Sequence, residues 1–111
     1  MAGIPHRFTA GYALTNGVET IVFTCPANTR ADLEGIWIAS TTGSAGAARV
    51  AWYDSSAATS FALIHNGAFA ANDALVLDVS TLVLEDADEI RVTGQNGYHI
   101  TIVGWQMTRQ G

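Results

Sequence analysis

Lysine is absent from these 111 residues, and all five basic side chains are arginine. Against ten acids they leave a formal net charge of −5. Arg7, Arg30, Arg49, Arg91 and Arg109 are scattered, so no basic stripe exists to track a phosphate backbone, and nucleic acid is not an expected partner. Without lysine there is no amine for a Schiff base and no Walker-type phosphate loop. The single cysteine, Cys25, excludes an internal disulfide and any paired-thiol zinc or redox motif. Apolar runs stop at four or five residues, far short of the roughly 20 that cross a bilayer as a helix, so no membrane contact is expected. No apolar segment follows a basic start, which predicts no secretory signal and synthesis in a cytoplasm. Charge is scarce too, at 14% of residues against 49% hydrophobic. That balance excludes disorder, and it leaves the surface short of charge.

The length, 111 residues and 11.7 kDa, suits one domain. A folded chain of this mass should expose ~5,900 Å², burying about 65% of its unfolded surface, which is enough for a core without staples. Strand formers come in short runs, broken every eight to twelve residues by Gly, Asn, Pro, Ser or Asp, which predicts an all-β sandwich or barrel. Eight strands are expected, over 8–14, 18–24, 30–40, 48–54, 59–65, 73–79, 89–93 and 98–107. Ile21 and Phe23 should share one face of the second, and Gly35 marks a bulge or close approach in the third. Thr15-Asn16-Gly17, Asn66-Gly67 and Gln95-Asn96-Gly97 read as turns, and Thr41–Gly46 as a hairpin loop. Residues 1–7, with Pro5, are expected to form an N-terminal arm, free to clasp a neighbour or fray, leaving 8–111 as the sandwich.

The strands break the usual rule of one apolar and one polar face. Trp37 opposes Ile36 and Ile38, and Val103, Trp105 and Met107 oppose Ile100 and Ile102. A one-core sandwich must turn some of these outward, and outward apolar patches mark contact surfaces. Trp37, Trp52, Tyr53, Val103, Trp105 and Met107 are therefore the candidate interface residues, and a homo-oligomer is expected. The alternative packing is that bulges flip register and bury both sets. Alternatively the rings Trp37, Trp52, Tyr53 and Trp105 form a sugar-stacking platform, with Asp54 as a hydrogen-bonding partner.

Catalytic and metal-binding patterns are missing. His6, His65 and His99 show no ligand spacing, although His65 and His99 could converge on strands. No G-x-S-x-G occurs. Cys25, before Pro26, reads as a small hydrophobe. Asp86-x-Asp88 fails the calcium-loop pattern, so Glu85, Asp86, Asp88 and Glu89 read as a solvated turn. No cofactor, metal or enzymatic activity is expected.

The stretch Val22-Phe23-Thr24-Cys25-Pro26-Ala27-Asn28-Thr29-Arg30-Ala31, followed by Gly35-Ile36-Trp37-Ile38-Ala39-Ser40 and Thr42-Gly43-Ser44-Ala45-Gly46, resembles small virion proteins of tailed bacteriophages. Leu82-x-Leu84-Glu85-Asp86-Ala87-Asp88-Glu89-Ile90-Arg91-Val92 and the Tyr98–Trp105 strand extend the similarity over residues 18–105. Two departures stand out: Cys25 replaces an aliphatic residue, and Glu85-Asp86-Ala87 replaces a Gly-containing turn. The resemblance implies a β-sandwich or jelly-roll building block of a virion, without catalytic residues. It would decorate or cement the head shell, as a trimer for example, on the major capsid protein, or belong to the neck, tail or fibre base. A carbohydrate-binding receptor-recognition module is the rival reading.

Overall fold

A computed structural model describes residues 5–80 and 82–108. Most of the expected arm lies outside them, and its last two residues, His6 and Arg7, already pair as part of the first strand. The strands are β1 (His6–Ala13), β2 (Glu19–Thr24), β3 (Thr29–Ser40), β4 (Gly46–Asp54), β5 (Thr59–Phe69), β6 (Ala74–Asp78), β7 (Val83–Leu84), β8 (Glu89–Thr93) and β9 (Tyr98–Thr108). Among the described residues there is no helix.

The strands form two sheets, ordered β1-β9-β3-β6 with β7 also on β3, and β2-β8-β4-β5. The pairings are nested. β4 pairs with β5, β3 with β6 and β7, β2 with β8, and β1 with β9, all antiparallel. The chain is thus one long antiparallel hairpin with its tip at β4–β5. Rolling it up lays β9 on β3 and β8 on β4 and closes two facing sheets. This is an antiparallel β-sandwich of jelly-roll form. Its accessible surface, 5950 Å², matches the value expected from its mass.

The core lies between the sheets. Leu33, Ile36, Ile38, Leu84, Tyr98, Ile100 and Ile102 of the first sheet meet Val22, Val50, Ile90 and Val92 of the second, all at most 1% exposed. Each such side chain contributes ~1.5–3 kcal/mol by leaving water. At one edge Phe8 of β1 stacks on Phe23 of β2, with ring centroids 4.5 Å apart and planes 4° from parallel, joining the two sheets. Cys25 is buried, its thiol 3.3 Å from the Thr29 carbonyl.

Several local expectations change. Thr41–Gly46 is a crossing between sheets, since β3 and β4 do not pair. β5 runs straight through Asn66-Gly67, and its pairing with β4 shifts twice, between Gly67 and Ile64 and between Ile64 and Ala62, absorbing one extra residue at each step. In β2 the register shifts between Ile21 and Phe23. Val22 is therefore buried in the core and Ile21 turns outward, 48% exposed, so Ile21 and Phe23 do not share a face. The expected bulge in β3 is present, between Leu33 and Gly35. It lets Leu33 and Ile36, three residues apart, both point inward. Where Leu33 pairs with Gly104, a side chain on Gly104 would sit 2.7 Å from the Asp32 carbonyl and 2.9 Å from the Phe8 ring, so only glycine fits.

Candidate functional site

Cross-strand register places the outward residues of the first sheet in rows. One row holds Arg7, Trp105, Asp32 and Val83. The next holds Thr9, Val103, Gly35 and Asp78, and a third Gly11, Thr101, Trp37 and Val76. Trp37, Trp105, Val76 and Val83 are 41%, 39%, 58% and 39% exposed. The Trp37 ring leans over Gly35, where a side chain would meet the indole at 3.3 Å. Val103 also faces outward but is only 5% exposed, in the row between those of Trp37 and Trp105. Met107, opposite Arg30 on the same face, is half-buried.

The β3 bulge also builds the polar part of this face. Glu34, the extra residue, accepts a hydrogen bond from Trp105 Nε1 and pairs with Arg7 at 3.1 Å. The Arg7 guanidinium lies 5.7 Å from the centre of the Trp105 ring. The Glu34 carboxylate thus holds both the Trp105 indole and the Arg7 guanidinium. Arg30 pairs with Asp32 beside it at 2.9 Å. Sequence reasoning missed Glu34, because only the bulge turns it toward Trp105.

The six candidate interface residues divide three ways. Trp37, Val103, Trp105 and Met107 share the first sheet's outer face. Tyr53 lies on the opposite outer face, under the Arg91 guanidinium at 3.9 Å. Trp52 is on the inner face, packed on the core, stacked on Phe61 at 5.5 Å, its Nε1 donating to Asp88 at 3.4 Å. Its inward turn follows from its register with Ile90 and removes it from any outer surface. The four rings therefore form no common sugar platform, and the Asp54 carboxylate caps Ser56 instead.

Asp88 corrects the reading of a solvated acidic turn. It is 3% exposed. Its carboxylate accepts from the Glu85 and Ser55 backbone N–H, the Ser55 hydroxyl and the Trp52 indole. Burial pushes its pKa up, but these four hydrogen bonds outweigh that and hold it below the usual carboxylate value. Asp86 accepts from the Asn28 N–H, and Ala87, at φ 64°, closes the turn. The group ties together the β2–β3, β4–β5 and β7–β8 connections at one end of the sandwich.

His65 and His99 stand in different sheets and do not meet. Among the described residues no three His, Cys, Asp or Glu side chains are placed to hold a metal ion. A surface hollow on β1 and β9 gathers only Tyr12 and His99 as titratable groups.

No protein-family model matches this sequence, and no curated protein is similar to it. Solved structures are similar in fold. A chain from the T13 particle of infectious bursal disease virus superposes with a TM-score of 0.59 at 12% identity, over 96% of this chain and 31% of the other. A chain of the Gx strain of the same virus gives 0.56 at 11%, over 99% and 34%. A subunit of the disulfide-linked pili of Bacillus endospore appendages gives 0.55 at 11%, over 96% and 88%. This chain spans about a third of the length of the virus-particle chains. The likeness is one of fold.

Proposed function

We propose that this chain is a non-enzymatic structural subunit of a virus particle, packing on neighbouring subunits through the outer face of its first sheet. The carrying observation is that face itself. Trp37, Trp105, Val76 and Val83 stand on a sheet whose other side is already the core. A soluble domain seldom leaves such a patch bare. Chains of a virus particle and of a pilus share this architecture, which supports a structural role. The sequence resemblance to tailed-phage virion proteins supports a station on such a particle, and the small size favours decoration or cement on the head shell, bound to the major capsid protein, over neck, tail or fibre base. Cys25 is buried, so disulfide-linked assembly as in the endospore pili does not suit these residues.

Electron microscopy of particles carrying a tagged chain tests this. Repeated label over the head shell is the expected result; particles that carry no label at any station overturn the reading. The exposed Trp37 and Trp105 favour one rival, a sugar-binding face. A saccharide-dependent change in tryptophan fluorescence, lost in Trp37→Ala, would establish it.

A further inference from the structure

We propose that Asn96 is a self-modification site: the Gly97 backbone nitrogen displaces its side-chain amide, so that the folded chain converts Asn96 to aspartate and isoaspartate while Asn16 is spared. The sequence holds three Asn-Gly pairs, Asn16-Gly17, Asn66-Gly67 and Asn96-Gly97. A glycine after asparagine puts no side chain in the way of the ring that must form. All three pairs share that feature, so the contacts around each decide which one reacts.

Asn16 and Asn96 are both exposed, and Gly17 and Gly97 both have positive φ, 71° and 83°. They differ at the nucleophile. The Gly17 N–H donates to the Gly94 carbonyl at 3.0 Å, which pins that nitrogen and holds its proton. The Gly97 N–H has no hydrogen-bond acceptor among the described residues. They differ also at the electrophile. The Asn16 N–H donates at 3.0 Å to Asn96 Oδ1, the atom on which negative charge builds when Cγ is attacked. A backbone donor already aimed at that oxygen lowers the barrier as an oxyanion hole does. Among the described residues no such donor reaches the Asn16 amide. Gly67 lies inside β5 and pairs with Ala48, so the sheet restrains its backbone.

The step needs water alone. The Gly97 nitrogen bonds to Asn96 Cγ, the Cγ–Nδ2 bond breaks, and the Gly97 proton passes through solvent to the departing ammonia. Water then opens the succinimide at either carbonyl and adds one negative charge to the −5 of the chain. Aspartate keeps an acceptor for the Asn16 N–H. Isoaspartate routes the backbone through Cβ and adds an atom to a turn whose Gly97 carbonyl accepts from the Thr41 N–H at 2.8 Å and the Thr41 hydroxyl at 2.7 Å. That end of the sandwich therefore loosens as the protein ages.

Peptide mass spectrometry of the full chain tests this, after ageing in mildly alkaline buffer, folded and in denaturant, with isoaspartate detected by enzymatic methylation. In the folded chain Asn96 should convert ~10-fold or more faster than Asn16, the scale of a hydrogen bond lost at one nucleophile or gained at the other electrophile. In denaturant the three pairs should react at similar rates. The aged chain should melt below Asn96→Asp, which carries the charge without the extra backbone atom; equal melting overturns the loosening. Equal folded-state rates at Asn16 and Asn96, earlier conversion at Asn66, or no folded-state conversion while the denatured chain reacts, overturns the site itself.

Discussion

Each sheet of this sandwich turns two arginines outward, and the two faces use them differently. On the second sheet Arg91 lies over the Tyr53 ring at 3.9 Å and pairs with Glu89 at 2.6 Å and Glu19 at 3.8 Å. Arg49 reaches the same Glu19 at 3.4 Å. The two guanidiniums and their carboxylates roof the face, leaving Ile21 as an isolated exposed aliphatic on it, and single exposed aliphatics need no partner. On the first sheet Arg7 and Arg30 are drawn to one end, around Trp105, and the middle of the face is left to Trp37, Val76 and the buried Val103. A sheet can finish its outer face with its own ion pairs or leave it to be finished by a neighbour, and this molecule does one on each side.

If that contrast is right, neither outer face holds the fold together; the core and the Asp88 clasp do. The largest loss of stability should come from Asp88→Ala, ~2–4 kcal/mol in chemical denaturation, because the Ser55, Glu85 and Trp52 donors then lose a charged acceptor in a buried setting. The pH dependence has a definite sign. Asp88's native pKa lies below its ordinary value, so the unfolded chain takes up the proton first as pH falls. The clasp is at full strength above about pH 4–5 and weakens as pH falls through the native pKa. Asp88→Asn should flatten that part of the acid limb of a melting curve; an unchanged acid limb would remove the clasp from the account.

A smaller loss, ~0.5–1.5 kcal/mol, is expected for Arg91→Ala, shrinking as salt screens its pairs with Glu19 and Glu89 while the stacking on Tyr53 persists. The smallest belongs to the first face. Val83→Ser should change monomer stability by less than about 0.5 kcal/mol, since Val83 faces outward at a sheet edge. A loss as large as that of Arg91→Ala would erase the distinction between the faces.

The strands themselves were legible because their signal is local. Alternation at a period of two shows in Ile36-Trp37-Ile38 and in Ile100, Ile102 against Val103, Trp105, and it placed Trp37 and Trp105 outward. Trp52 and Tyr53 alternate just as clearly, but which of them faces the core depends on the partner strand, and register with Ile90 turned Trp52 in. Glu34 was invisible as a site residue because its contacts, Arg7 and Trp105, stand 27 and 71 residues away.

What the amino-acid order settled alone is an all-β chain of short strands, poor in charge, with apolar side chains on both sides of its longest ones. Tertiary structure decided which turn signals became crossings between sheets, where the bulges at Val22, at Glu34 and between Ala62 and Gly67 fell, and that Asp88 would be buried rather than solvated. The reason is that strand propensity and alternation are properties of neighbouring residues, whereas register, bulges and the burial of a loop carboxylate are set by segments that meet only when the hairpin rolls up.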